Sequence, residues 1–509
     1  MEAPFLDAVR AAFPARERAL TLGAPLRGGT CHPEPLIRAP LAMLNRHGLI
    51  AGATGTGKTR TLQLMAEQLS AAGVPVFLSD VKGDVSGLGA PGESNERLAQ
   101  RVKDTGATWK PAAFPVEFLS LTGQRGAQLR ATVSSFGPLL LAKVLGLNET
   151  QTSVLAMVFK FADDRKLPLL DFADLRAVLQ HLTGDGASEL ASYGGMSKAT
   201  VGVLLREMVE LEQQGAQAFF GEPQFDLDDL MRKESDGRGL ISVLALSDVQ
   251  DKPALSSTFM MWMLARLYHE LPEVGDLDQP KLVFFFDEAH LLFKEASAAF
   301  LQQVEQVVRL IRSKGVGVFF VTQSPKDVPA SVLGQLGHRV QHALRAFTAD
   351  DEKALKAAAR TFPKTEFYDL EEILTTLGTG EALVTVLRSN GVPTPPFATR
   401  LIPPAARMAP LTESEYQARL AGSEQVREYA QAVDRESARE LLAARMAATP
   451  GDDVATAPTP ARRTAQEPPS TIEQILKSPM ARSVATQITR GLMGALLGTP
   501  PRRRRRSLF

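Results

Sequence analysis

An α/β fold organised around a parallel-dominated sheet is what this sequence predicts, and three observations predict it. Seven short apolar runs are bounded by turn residues. Residues at helical spacing fill the intervals between them, the alternation that lets helices cover both faces of a parallel sheet. The first run leads directly into a glycine-rich turn that opens a helix.

Composition sets the frame. With 509 residues, 44% hydrophobic and 22% charged, the chain has the make-up of a globular protein larger than one ordinary domain. A single cysteine, Cys31, excludes a disulfide framework and the multi-cysteine zinc patterns, as expected in a reducing compartment. The first residues carry acidic groups and no apolar core, so they do not read as a signal peptide. "GPLLLAKVLGL", residues 137–147, is shorter than the roughly 20 residues of a membrane span and is broken by Lys143. A cytoplasmic location is expected.

In chain order, a short segment (1–40) precedes the first part of the sheet core (41–123), with strands at 48–52, 74–80 and 115–121. Residues 124–233 have few strand signals and helical periodicity, as in "VLAMVFKFADD" and "TVGVLLREMVELEQQ", so an all-helical insertion is expected. The core resumes over 234–402, with strands at 239–248, 281–288, 316–323 and 381–389. A mixed-charge helical segment (403–448) follows, then a Pro- and Ala-rich stretch with the composition of a disordered linker (449–470). Residues 471–509 read as an amphipathic helix and a polybasic tail ending in Arg502 to Arg506. Formal net charge is zero, but from Gly451 onward ten basic residues face four acidic ones, leaving the tail at +6 and the body at −6. Attraction to a polyanion is therefore local.

The glycine-rich turn is "GATGTGKT": Gly52, Ala53, Thr54, Gly55, Thr56, Gly57, Lys58 and Thr59. Glycines let successive N–H groups converge on phosphate oxygens, and the helix start adds its positive end. Lys58 would bridge the β- and γ-phosphates, and Thr59 would offer its hydroxyl to Mg²⁺. The complementary half is "KLVFFFDE", an apolar run ending in Asp287, placed to hold the metal shell, and Glu288, placed as general base for an attacking water. A carboxylate beside the metal-binding aspartate points to turnover rather than simple binding. "VGVFFVTQ" delivers Gln323 to the same edge of the sheet, within reach of the γ-phosphate. Upstream lie Arg309, Arg312 and Lys314, and Arg312 is the candidate for a finger inserted into a neighbouring subunit's site. His290, two residues past Glu288, reads as an exposed loop histidine and takes no role.

With those elements in order, the chain resembles the HerA-FtsK group of P-loop motor ATPases, and more closely the bacterial HerA-like proteins of the YjgR type. The resemblance rests on "GATGTGKT", "SDVKGDVSGL", "FFFDEAHLLF", "IRSKGVGVFFVTQSPKDVP" and "LGQLGHRVQHALRAFT", and covers roughly Leu41 to Pro396. It implies a RecA-like core, ATP with Mg²⁺, a homohexameric ring and translocation of DNA. On this sequence it implies Lys58, Thr59, Asp287, Glu288 and Gln323 in the roles above, with Arg312 or Arg345 as the finger. Asp80 and Asp84 fall in an acidic segment of the family and take no assigned role. Only about forty residues precede the core, too few for the β-barrel of archaeal members, and no winged-helix module is evident.

Two other readings compete. "DEAH" invites a superfamily-two RNA helicase, but a second tandem core and its Ser-Ala-Thr element are not found. The other is an ATP-dependent scaffold or switch, without motor activity, held to a protein partner or anionic membrane by its tail.

Overall fold

The computed structural model describes residues 2–15, 17–294 and 298–448. The expected linker (449–470), the amphipathic segment (471–509) and Arg502 to Arg506 lie outside the described residues. The strands are β1 (Ala19–Arg27), β2 (Thr30–Cys31), β3 (Ile37–Pro40), β4 (Gly48–Ala51), β5 (Val76–Asp80), β6 (Val116–Ser120), β7 (Ala127–Gln128), β8 (Ile241–Ala245), β9 (Leu282–Phe286), β10 (Val316–Thr322), β11 (His338–His342), β12 (Glu381–Thr385) and β13 (Phe397–Leu401).

They form one 13-stranded sheet in the order β2-β1-β13-β12-β11-β4-β10-β9-β5-β8-β6-β7, with β3 added to β1. From β11 to β7 every pairing is parallel. The flank built from β12, β13, β1, β2 and β3 is antiparallel. All seven runs expected from sequence are strands, and the sheet is parallel-dominated as expected. Residues 19–40, ahead of the expected core, supply three of the strands.

Period-two alternation sorts the central strands onto two cores. On one face Leu49, Ala51, Phe284, Phe286, Val318 and Phe320 are buried; on the other, Ile50, Val283, Phe285, Phe319 and Val321. Phenylalanines stack across β9 and β10 on both faces, Phe286 on Phe320 with centroids 5.7 Å apart and Phe285 on Phe319 at 5.2 Å.

The first face is covered by helices Val133–Val144, Glu149–Asp164, Phe172–Thr183 and Lys198–Gln213, which lie between β7 and β8, and by helix Pro253–Glu270. The indole N–H of Trp262, on the last of these, donates to Ser135 Oγ at 3.0 Å and ties this helical layer to the core. The second face is covered by helix Lys58–Ala71, whose Leu62, Met65, Ala66 and Leu69 recur at helical spacing. After residue 412 the expected helical stretch is three helices, Glu413–Gly422, Glu424–Tyr429 and Ala438–Ala448. Ser423 ends the first and caps the second by accepting from the Val426 N–H.

Candidate functional site

Register fixes where the functional groups emerge. Ala51 lies opposite Thr322, and Phe286 opposite Phe320, so Asp287 and Glu288 leave β9 level with the last residues of β10. The phosphate loop begins at that same height. The carboxyl ends of β11, β4, β10, β9 and β5 thus share one edge, the ligand side of a doubly wound sheet.

The loop is shaped by its glycines and braced from both sides. Gly52 has φ 155°, and a Cβ there would lie 2.4 Å from Cβ of His342. Gly57 has φ 116° and opens helix Lys58–Ala71. The Gly52 N–H donates to the Thr322 carbonyl on β10, and the Ala53 N–H to the Ala343 carbonyl just past β11. The Gly380 N–H donates to the Thr56 carbonyl at 2.9 Å. Lys58 Nζ donates to the carbonyls of Gly52 at 2.7 Å and Ala53 at 3.2 Å, so its charge is held over the loop. Burial lowers its pKa, and the nearby charges of Glu288 and Asp287 oppose that shift.

Asp287 and Glu288 are each only 5% exposed. The Asp287 N–H donates to Ser79 Oγ, and its Oδ1 accepts the Glu288 N–H at 2.9 Å. Asp287 Oδ2 is buried with no hydrogen-bond partner among the described residues. Burial above all, with the charges of Glu288, Asp84 and Asp80, pushes its pKa to about 7. An orphaned buried carboxylate oxygen among other acids fits a divalent cation. Among the described residues no group of three or more His, Cys, Asp or Glu could hold a metal alone. That suits Mg²⁺, which takes one or two protein oxygens and completes its shell with phosphate and water. Thr59, which follows Lys58 on the same helix, would be the second protein ligand.

Glu288 adopts φ 47°, the left-handed region, at a cost of about 1–3 kcal/mol for a non-glycine residue. Its Oε1 is paired with Lys82 Nζ, and its Oε2 lies 3.2 Å from His290 Nδ1. Lys82 was not among the residues expected from sequence. It sits on the turn after β5, and Asp80 builds that turn: Oδ1 accepts from the Gly83 and Asp84 N–H groups, Oδ2 from Val85. Burial raises the Asp80 pKa to about 6. "SDVKGDVSGL" carried the signal as a lone cation inside an acidic turn. A second residue missed from sequence is His342, buried at the end of β11 with Nε2 2.8 Å from Thr61 Oγ1. Burial, then the charge of Lys58, holds it near pKa 4, so it is neutral at pH 7.

Gln323 is exposed just beyond β10, in a cleft of about 890 Å³ shared with Ala53, Thr54, His290, Lys326 and Arg345. The structure therefore brings the loop, Gln323 and Arg345 to one cleft, with Asp287 and Glu288 on the same edge. Arg312 is elsewhere. It is exposed on the turn Ile311–Lys314 that precedes β10, at the opposite edge, close enough to Arg46 to help lower that side chain's pKa, which burial lowers most.

A glycine-rich loop on the central strand, facing an Asp-Glu strand end across one edge of a mixed sheet, defines the P-loop ATPases as the class. A model of the helicase HerA-like C-terminal family matches residues 29–506, and the chain belongs to that family. It is 29% identical over 154 residues to the probable helicase MJECL08 of Methanocaldococcus jannaschii, and spans 28% of that relative's length with 28% of its own. The bacterial conjugative coupling protein TrwBdeltaN70, in its unbound monoclinic form, has a similar fold. The TM-score is 0.50 at 15% identity, over 79% of this chain and 92% of that one. The plasmid coupling protein TrwB in complex with the ATP analogue ADPNP aligns at TM-score 0.49 and 16% identity, over 77% and 97% of the two chains.

Proposed function

We propose that the chain is a Mg²⁺-dependent, ATP-driven motor that moves on DNA as a hexamer. The observation that carries the reading is the pairing, on one sheet edge, of a complete phosphate loop with a buried Glu288 next to the metal-type Asp287. A protein that only stored nucleotide would have no use for a second acid held there at the cost of a left-handed backbone.

In the proposed reaction Lys58 leaves the loop carbonyls for the β- and γ-phosphates. Asp287 Oδ2 and Thr59 Oγ1 would hold Mg²⁺, which when bound neutralises charge between those phosphates. Glu288 takes a proton from water as the water oxygen bonds to the γ-phosphorus and the bond to the β-bridging oxygen breaks. Gln323, at the cleft wall, orients the water or senses the γ-phosphate. Arg345 lines the cleft beside its own phosphate loop, whereas Arg312, on the far edge, is proposed as the finger for a neighbouring copy. DNA as the track is supported by membership of a family named for a helicase and by the like name of the archaeal relative.

The test is ATP hydrolysis with and without double-stranded DNA, single-stranded DNA and anionic liposomes, at low and moderate salt. Stimulation by DNA that weakens as salt rises is expected, because phosphate contacts release counterions. Stimulation by liposomes alone would favour the scaffold reading instead. Glu288→Gln should bind ATP as the wild type does while hydrolysis falls about 10²-fold or more. Unchanged turnover in that variant removes Glu288 as the base.

A further inference from the structure

A second cavity, of about 320 Å³, lies on the far side of Glu288 from the cleft that holds Gln323 and Arg345. Strand order fixes this. The cleft lies over the carboxyl ends of β11, β4 and β10, Glu288 leaves the end of β9, and the cavity lies over the ends of β5 and β8. Asp287 and Glu288 line it from one side. Ser256 and Ser257 line it from another, in the opening turns of helix Pro253–Glu270. His290 and Lys294 line both voids, so the short helix His290–Lys294 and the acid before it form the partition between them.

The chemistry gives that partition a direction. On the reaction proposed above, on which this inference rests, water attacks from the Glu288 side as the bond to the β-bridging oxygen breaks. The new phosphate is therefore carried toward Glu288 while ADP stays in the loop. We infer that inorganic phosphate leaves through this cavity, past Glu288, before ADP is released.

The lining suits a passing anion. The hydroxyls of Ser256 and Ser257 are half-buried and make no hydrogen bond among the described residues, and Lys294 is exposed and in no ion pair among them. An 18-residue helix opens at those serines without a side-chain cap, so its positive end is not already taken. Behind them Leu246, Val249 and Met260 are apolar and offer no further donor, so a phosphate is guided but not trapped.

The two acids do not close the route. Asp287 Oδ2 and Glu288 Oε2 are buried without a hydrogen-bond partner among the described residues, and both side chains line the cavity. At the moment of release Asp287 is engaged with Mg²⁺, and Glu288 carries the proton it took from water. A protonated Glu288 does not repel the product; it donates to it. The frame around them is tied down: Ser79 Oγ accepts the Asp287 N–H at 3.1 Å, and Gln250 Nε2 donates to the Val81 carbonyl at 2.6 Å.

Transient kinetics on the full chain with Mg²⁺ and double-stranded DNA test the exit. Cleavage is read from a quenched single turnover of ATP, phosphate with a fluorescent phosphate sensor, and ADP with a ribose-tagged fluorescent nucleotide. In the wild type, phosphate should appear before ADP. Ser257→Trp, which fills the cavity, should slow phosphate release about tenfold or more relative to the cleavage step. Lys326→Trp narrows the other cleft and should leave phosphate release as it is. Phosphate that appears with or after ADP in the wild type, or is slowed by Lys326→Trp, or is not slowed by Ser257→Trp, overturns the exit. Ser257→Leu is a smaller plug read the same way should the tryptophan variant not fold. A wild type that cleaves no ATP overturns the hydrolysis reading and the exit with it, whereas normal cleavage with phosphate leaving by the other cleft overturns the exit alone.

Discussion

Glu288 is the residue whose surroundings decide what the site can do. Buried, strained at its backbone and paired with Lys82, its carboxylate has one orientation imposed on it from each side. A base must point its lone pair at water, so a residue that aims it is worth a share of the rate. Lys82→Gln should therefore lower kcat about tenfold or more while KM for ATP changes little, and Lys82→Arg should recover part of the loss; steady-state kinetics on the three proteins read this directly. A fall confined to KM would place Lys82 on the substrate instead.

Glu67 makes a different prediction at the same scale. Burial pushes its pKa to about 7, and that of Asp80 to about 6 and Asp287 to about 7. The folded chain holds these protons where the unfolded one has lost them, so these acids favour the fold at low pH, and their contribution is lost as pH rises toward 7. Buried His47, His338 and His342, all near pKa 4, act in the opposite sense: the unfolded chain protonates them first, so stability drops as pH falls below about 6.5. Between about pH 4.5 and 6 the three acids and the three histidines therefore oppose one another. Glu67→Gln removes one of the acids, so its thermal midpoint should fall more than the wild type's as pH is lowered from 7 to 5. Parallel profiles in the two proteins would show that Glu67 ionises normally.

At the scale of elements, the parallel centre of the sheet was legible in the sequence because its strands are nearly all apolar. β9 and β10 present hydrophobic side chains to both faces, and runs so short and so apolar fit a strand covered on both sides. The strand β11 carried no such signal. Its His338, Gln341 and His342 are buried yet polar, and each makes one specific side-chain hydrogen bond: with the Met43 carbonyl, the His342 carbonyl and Thr61. Burial by pairing leaves no hydrophobic trace. The strands β1 and β13 contain Gly23, Pro25 and Arg400, and Arg400 is tolerated because Glu381 and Asp104 neutralise it. Strand direction is also unwritten: β12 is as apolar as the strands of the parallel centre but runs against β11. The phosphate loop and the Asp-Glu pair were legible because phosphate chemistry constrains spacing within a few residues. Lys82 was not, because its part in the site depends on two segments 206 residues apart in sequence meeting in space.

For the whole molecule the question is how one site depends on another. Arg312 lies at the edge opposite its own phosphate loop, so a catalytic role for it requires a second copy. Arg312→Ala should assemble as the wild type does and lose about 10³-fold in hydrolysis. The sharper measurement is mixing. Arg312→Ala subunits keep Glu288 and Glu288→Gln subunits keep Arg312, so in the proposed hexamer mixed assemblies would contain some intact junctions and should recover activity that neither variant has alone. No recovery on mixing would return Arg312 to an ordinary surface role.

The placement of β4 carries a last consequence. Parallel β10 on one side and parallel β11 on the other hang from this single strand, and residues 1–448 cluster as one compact unit. The strand they share runs straight into the phosphate loop, whose Gly52 N–H is bonded to β10 and whose Ala53 N–H is bonded just past β11. On the motor reading proposed above, a change at the bound phosphates would reach both halves of the sheet through that one strand.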